Sequence, residues 1–123
     1  VSRSRRLGTA WESAIVDYLR ANGVPHAERR ALAGSKDRGD IAGIPGLVIE
    51  GKSVASHTLA VWVDEANAER DNDGAMAGVV WVKRRGRTSP GKGYVVMDGA
   101  TLLVLLRAAG LISTVDEPAD GAS

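Results

Sequence analysis

The 123 residues carry a net charge of +1, with 44% apolar and 25% charged side chains and no cysteine. That balance is expected of one soluble globular domain with a single core. It excludes disulfides and thiolate metal sites, and no run reaches the roughly 18 apolar residues of a membrane span.

The opening stretch VSRSRRL has no signal-peptide core, so a cytoplasmic location is expected. Residues 1 to 7 read as a basic arm. Thr9 and Glu12 have the spacing of a capping box, and Trp11, Ile15, Tyr18 and Leu19 follow at the period of an amphipathic helix. Gly23 and Pro25 end that helix. His26 to Leu32 then predicts a short strand, and Ala33 to Arg38 is turn material.

Two apolar segments joined by Gly43-Ile44-Pro45-Gly46 predict a hairpin in which Ile41 to Ile44 pairs with Leu47 to Ile49. A second helix is expected from Leu59 to about Asn72, with Leu59, Trp62, Val63 and Ala66 on its buried stripe. Met76 to Lys83 has the near-continuous apolar character of a strand covered on both faces, so a parallel crossover from the preceding strand follows. After a basic loop, Tyr94 to Met97 returns as a strand and Asp98 caps a third helix over Thr101 to Ala109. Residues 113 to 123 read as an acidic, disordered tail, leaving a single domain over residues 8 to 112. The order α-β-β-β-α-β-β-α predicts an α/β fold, a mixed central sheet flanked by helices.

Charge is segregated along the chain. Residues 1 to 38 hold eight Lys or Arg against four Asp or Glu, and residues 83 to 92 hold five against none, whereas residues 39 to 82 hold two against seven. Basic blocks of this kind are the footprint of a polyanionic ligand or a solvated face.

The chemistry concentrates in GDIAGIPGLVIEGK, residues 39 to 52. Strand alternation puts Glu50 and Lys52 on one face with Cα atoms about 7 Å apart, and the hairpin brings Asp40 to the Glu50 end. Two carboxylates suit Mg²⁺, which is bound through oxygen and retains positions for water and phosphate. A lysine beside them would orient attacking water and offset charge on a phosphate, which together equips the chain for phosphodiester hydrolysis. A surface hairpin with an ordinary Glu/Lys pair is the alternative.

With Glu12 on the first helix, Asp40 opening one strand and Glu50-Gly51-Lys52 closing the next, the pattern resembles the PD-(D/E)XK nuclease superfamily, with Gly39 in place of the proline. The stretches GTAWESAIVDYLRANG, ERRALAGSKDRGDIAGIPGLVIEGK and GVVWVKRRG are similar to the small Holliday-junction resolvases of actinobacterial phages. The resemblance implies a restriction-endonuclease-like fold and Mg²⁺-dependent (or Mn²⁺-dependent) cleavage of branched double-stranded DNA by a homodimer, without a nucleotide cofactor. The location would then be the host cytoplasm.

It further implies that Asp40, Glu50 and the Gly51 carbonyl hold metal, and that Lys52 is the catalytic lysine. Glu12 matches a helix acid of the same site, with the Thr9 capping box as the rival reading. Ser35 matches a serine near the active site or is a plain turn residue. Arg29 and Arg30 match a basic strand facing phosphates or form a solvated face. Arg5, Arg6, Lys36, Arg38, Lys83, Arg84, Arg85, Arg87 and Lys92 are the remaining candidates for DNA contact. Trp11, Trp62 and Trp81 sit at core periodicities, and His26 and His57 are too isolated for a ligand pair.

Overall fold

Serine at position 2 supplies the first helix cap, its hydroxyl accepting from the Arg5 amide at 3.2 Å. The computed structural model describes residues 2–30 and 39–114, and its first helix, α1, spans Arg3–Ala21. From Arg3 onward the segment expected as a basic arm is therefore part of the helix, and Thr9 and Glu12 lie inside the helix and form no capping box. The reason lies in intrinsic propensity: arginine and leucine are strong helix formers, and the one glycine, Gly8, costs only about 1 kcal/mol. Trp11, Ile15, Val16 and Leu19 form the buried stripe, while Tyr18 is half-buried with its ring edge-on to Trp81 at 6.1 Å.

The strands are β1 (Glu28–Arg29), β2 (Ile41–Ala42), β3 (Leu47–Lys52), β4 (Ala77–Val82) and β5 (Tyr94–Val96), lying in sequence order across one sheet. The first two are shorter than the sequence suggested. Ile41 pairs with Ile49 in the expected antiparallel hairpin, whose turn is closed by the Leu47 amide on the Ile44 carbonyl at 3.1 Å. Gly46 at φ 84° provides the left-handed corner after Pro45. β3 and β4 are parallel, Glu50 lying beside Val80 and Lys52 beside Val82, and β5 returns antiparallel on β4.

The crossover helix α2 spans Leu59–Asp73 and ends on the left-handed Gly74. Its buried stripe is Trp62, Ala66 and Glu69. Leu59, expected on that stripe, is exposed, because the terminal turn of a helix lying across a sheet is the least covered. Gly78 of β4 lets α2 approach closely, since a Cβ there would run into the Ala66 carbonyl oxygen. Asp98 caps α3 (Gly99–Ala108), as the sequence predicts.

Two cores result. Trp11, Ile15, Val16, Leu19, Ala27, Ile41, Ile49 and Val79 fill the α1 side, with Leu105 of α3 against them, and Trp62, Ala66, Val80 and Val82 fill the α2 side. Trp11 donates to the Trp81 carbonyl at 2.9 Å and Trp81 to the Pro90 carbonyl at 3.0 Å, so these indoles are packing residues as expected. The molecule is an α/β fold with a mixed five-stranded sheet between helices. No helix among the described residues is long and apolar enough to cross a membrane. The expected tail lies largely outside the described residues, which include only its first two positions.

Candidate active site at the open edge of β3

β3 continues to Lys52 while its partner β2 begins only at Ile41, opposite Ile49. The last turn of β3 therefore meets a side chain on that edge instead of a strand. Asp40 supplies it: its amide donates to the Ile49 carbonyl at 3.0 Å, and its Oδ2 accepts from the Gly51 amide at 2.9 Å. The carboxylate thus sits against the backbone between Glu50 and Lys52. Successive residues of a strand present N–H and C=O to opposite edges. Lys52 offers its carbonyl to Lys83 beyond β4, so the Gly51 carbonyl faces the Asp40 edge.

The α1 face of Gly51 is covered by Glu12, and a Cβ there would lie 3.4 Å from Glu12 Cγ and 3.5 Å from Trp11. These are ordinary van der Waals distances, so the helix acid packs directly over the strand backbone at this position. Glu12 meets Asp40 across this spot and accepts from Arg29 Nε at 3.0 Å. Burial and then the Asp40 charge push the Glu12 carboxyl above its ordinary range, more strongly than the Arg29 guanidinium pulls it down.

Glu50 and Lys52 leave the strand on the other face, toward α2, as alternation requires. Glu50 is buried at 6% exposure. Lys52 Nζ lies 3.5 Å from Glu65 Oε2 and 5.9 Å from the Trp62 ring centre. The structure thus joins Glu12 to Asp40, and Asp40 to the Gly51 backbone, while Glu50 and Lys52 flank that backbone from the α2 side. Among the described residues, no three His, Cys, Asp or Glu side chains form a group that could hold a metal ion. The donors at the edge, Glu12, Asp40 and the Gly51 carbonyl, are all oxygen, which suits a hard cation.

Arg29 and Arg30, expected to face phosphates together, are divided by strand alternation. Arg29 turns to Glu12, whereas Arg30 Nη1 bonds Asp73 at the end of α2 at 2.9 Å. Arg5 and Arg6 are exposed on the first turns of α1, and Arg84, Arg85, Arg87 and Lys92 are exposed in the loop after β4, with Lys83 half-buried. Ser35, Lys36 and Arg38 lie outside the described residues. His26 and His57 are both exposed.

Two acids escaped the sequence reading. Glu65 pairs with Lys52, and Glu69 is buried at 4% exposure on α2. The signal was available, because Glu69 stands three residues after Ala66 and seven after Trp62, on the stripe that faces the sheet. Compared with known proteins, the chain matches no family model, no curated protein and no solved structure.

Proposed function

We propose that this chain is a divalent-metal-dependent endodeoxyribonuclease of restriction-endonuclease-like fold that cuts branched DNA, four-way junctions above all. The observation that carries the reading is the seating of Asp40 on the Gly51 amide, beside Glu12 and between the strand positions of Glu50 and Lys52. Mg²⁺ or Mn²⁺, when bound, would supply Lewis-acid polarisation of a phosphodiester. Asp40, the Gly51 carbonyl and Glu12 are the groups that would hold it, whereas Glu50, expected as a metal ligand, leaves the strand on the opposite face. Lys52, steadied by Glu65 and Trp62, would orient a water for in-line attack and offset charge on the phosphate. The exposed arginines of α1 and of the loop after β4 would grip the DNA through its backbone.

The test is cleavage of an end-labelled four-way junction with and without Mg²⁺ or Mn²⁺. Lys52→Ala and Asp40→Asn are expected to lower the rate about a thousandfold while junction binding persists. Full activity in either variant overturns the site. Duplex, flap and fork substrates in the same assay separate a junction resolvase from other nucleases of the fold.

A junction has approximate two-fold symmetry, so a symmetric homodimer would set two sites on opposing strands. α3 offers such a dimer an apolar face, with Leu102 and Leu103 exposed on the helix and Leu111 and Ile112 beyond it. Sedimentation is expected to give a dimer that Leu103→Glu converts to monomer. A wild-type monomer, on and off DNA, removes the paired-nick mechanism.

One observation favours a second reading, a DNA-binding module without catalysis: the Glu50 and Lys52 side chains leave β3 on the face opposite Glu12. Junction binding with no cleavage under either cation would establish it.

A further inference from the structure

β3 and β4 run parallel and end together, Lys52 beside Val82. The connections leaving them enclose a cavity of about 490 Å³ beyond the carboxyl end of the sheet, the general location of ligand sites in parallel α/β sheets. His57 lies on one wall and Lys83, Arg84 and Arg85 on the other, with Tyr94 of β5 completing the rim. Among the described residues, no acidic side chain lines it.

Resting on the nuclease reading, we infer that this cavity receives one unpaired nucleotide of the DNA, its phosphate among Lys83, Arg84 and Arg85 and its base against the rings of Tyr94 and His57. Three cations without a counter-acid call for an anion. The volume lies within the roughly 300–1,000 Å³ of small-molecule sites, more than a phosphate alone requires. The rings supply what a base needs, a flat apolar surface with polar edges, and the pairing of cations with aromatic platforms is how single strands are bound.

The wall is held in place. Arg87 donates to the Arg84 carbonyl at 3.1 Å across a turn whose corner is Gly86 at φ 78°. The Arg84 guanidinium lies 5.7 Å from the centre of the Tyr94 ring, tying the cationic wall to the aromatic rim.

The cavity also adjoins the candidate catalytic lysine. Trp62 stands between Lys52 and the His57 wall, with Lys52 Nζ 5.9 Å from its ring centre and the His57 ring 5.5 Å away. A base inside the duplex stack cannot present its face to a ring. The nucleotide must therefore be extrahelical or at a branch point, which is how this cavity would select branched DNA over plain duplex.

The test is equilibrium binding, without divalent cation, of the full chain to a labelled thymidine pentanucleotide and to an abasic pentamer of equal charge. The pentanucleotide is expected to bind about tenfold tighter. Tyr94→Leu, at a half-exposed position, should remove that preference. Arg85→Ser should weaken both ligands alike. His57→Ala, on an exposed connection, is the second variant and should cut the preference at least threefold.

Equal affinity of the wild type for the two pentamers, or a preference unchanged in both Tyr94→Leu and His57→Ala, overturns the inference. Base-dependent binding by a protein that cleaves no junction would uphold the cavity and refute the nuclease. Cleavage with equal pentamer affinities would do the reverse.

Discussion

Ionisation of Glu12 costs the fold stability. Its carboxyl is raised above the usual 4.5 by burial and by Asp40, with Arg29 opposing. The folded state therefore holds that proton more tightly than the unfolded chain, so ionisation lowers stability as pH rises through the window above 4.5. Glu12→Gln keeps the shape and an acceptor for Arg29 but removes the charge. The melting temperature of the variant relative to wild type is expected to be more favourable at pH 8 than at pH 4, measured by thermal scans across that range. A difference that stays constant with pH would mean that neither burial nor Asp40 disfavours the Glu12 carboxylate. The alternation of Glu50 and Lys52 and the nearness of Asp40 to their backbone were legible from spacing alone. Their separation from the Glu12 side was not, because it depends on which face of the sheet α1 covers, a tertiary fact that leaves no trace in the local sequence. Glu12 itself was ambiguous only while Thr9 was read as a helix cap. Once Ser2 takes that role, the glutamate is released to the sheet edge.

At the level of elements, the α3 cap shows what local sequence does specify. Asp98 Oδ1 accepts from the Thr101 amide at 2.8 Å and its hydroxyl at 2.6 Å, and Oδ2 accepts from Asn67 of α2 at 3.0 Å. These bonds, the Thr101 hydroxyl first, hold the carboxyl at about 2 against an ordinary 3.8. A depressed carboxylate pKa contributes stability that is fully present above pH 4 and is lost as pH falls toward 2. Asp98→Ala is expected to melt several degrees below wild type at pH 7, with the gap closing at pH 2. A gap that persists at pH 2 would assign the loss to packing instead. The cap, the crossover and the element order were readable because each is written in neighbouring residues. The α1 start was misjudged by six residues because SRSRR has helix propensity but no apolar period to announce it. The exposed first turn of α2 and the burial of Glu69 are tertiary facts, decided by which turns overlie the sheet.

For the whole molecule, the near-zero net charge conceals opposed surfaces. The five cations of residues 83 to 92 lie at the same end of the sheet as Lys52, because β3 and β4 are parallel neighbours, whereas Asp64 and Asp71 are exposed on α2. A protein whose total charge is +1 gains little long-range attraction to DNA, so any affinity must come from phosphates neutralised locally by this loop and by α1. Each such contact releases counterions, and log affinity should fall with log salt at a slope of about −0.9 per phosphate engaged. Replacing Arg84, Arg85 and Arg87 together with serine is therefore expected to weaken junction binding at low salt and to flatten that slope by about three. The variant should keep the wild-type melting temperature, since these side chains are exposed and apart from both cores. Binding titrations between 50 and 200 mM salt, a range over which such contacts are sharply weakened, give the slope directly. An unchanged slope would mean that DNA is gripped elsewhere, with the α1 arginines Arg5 and Arg6 the first candidates.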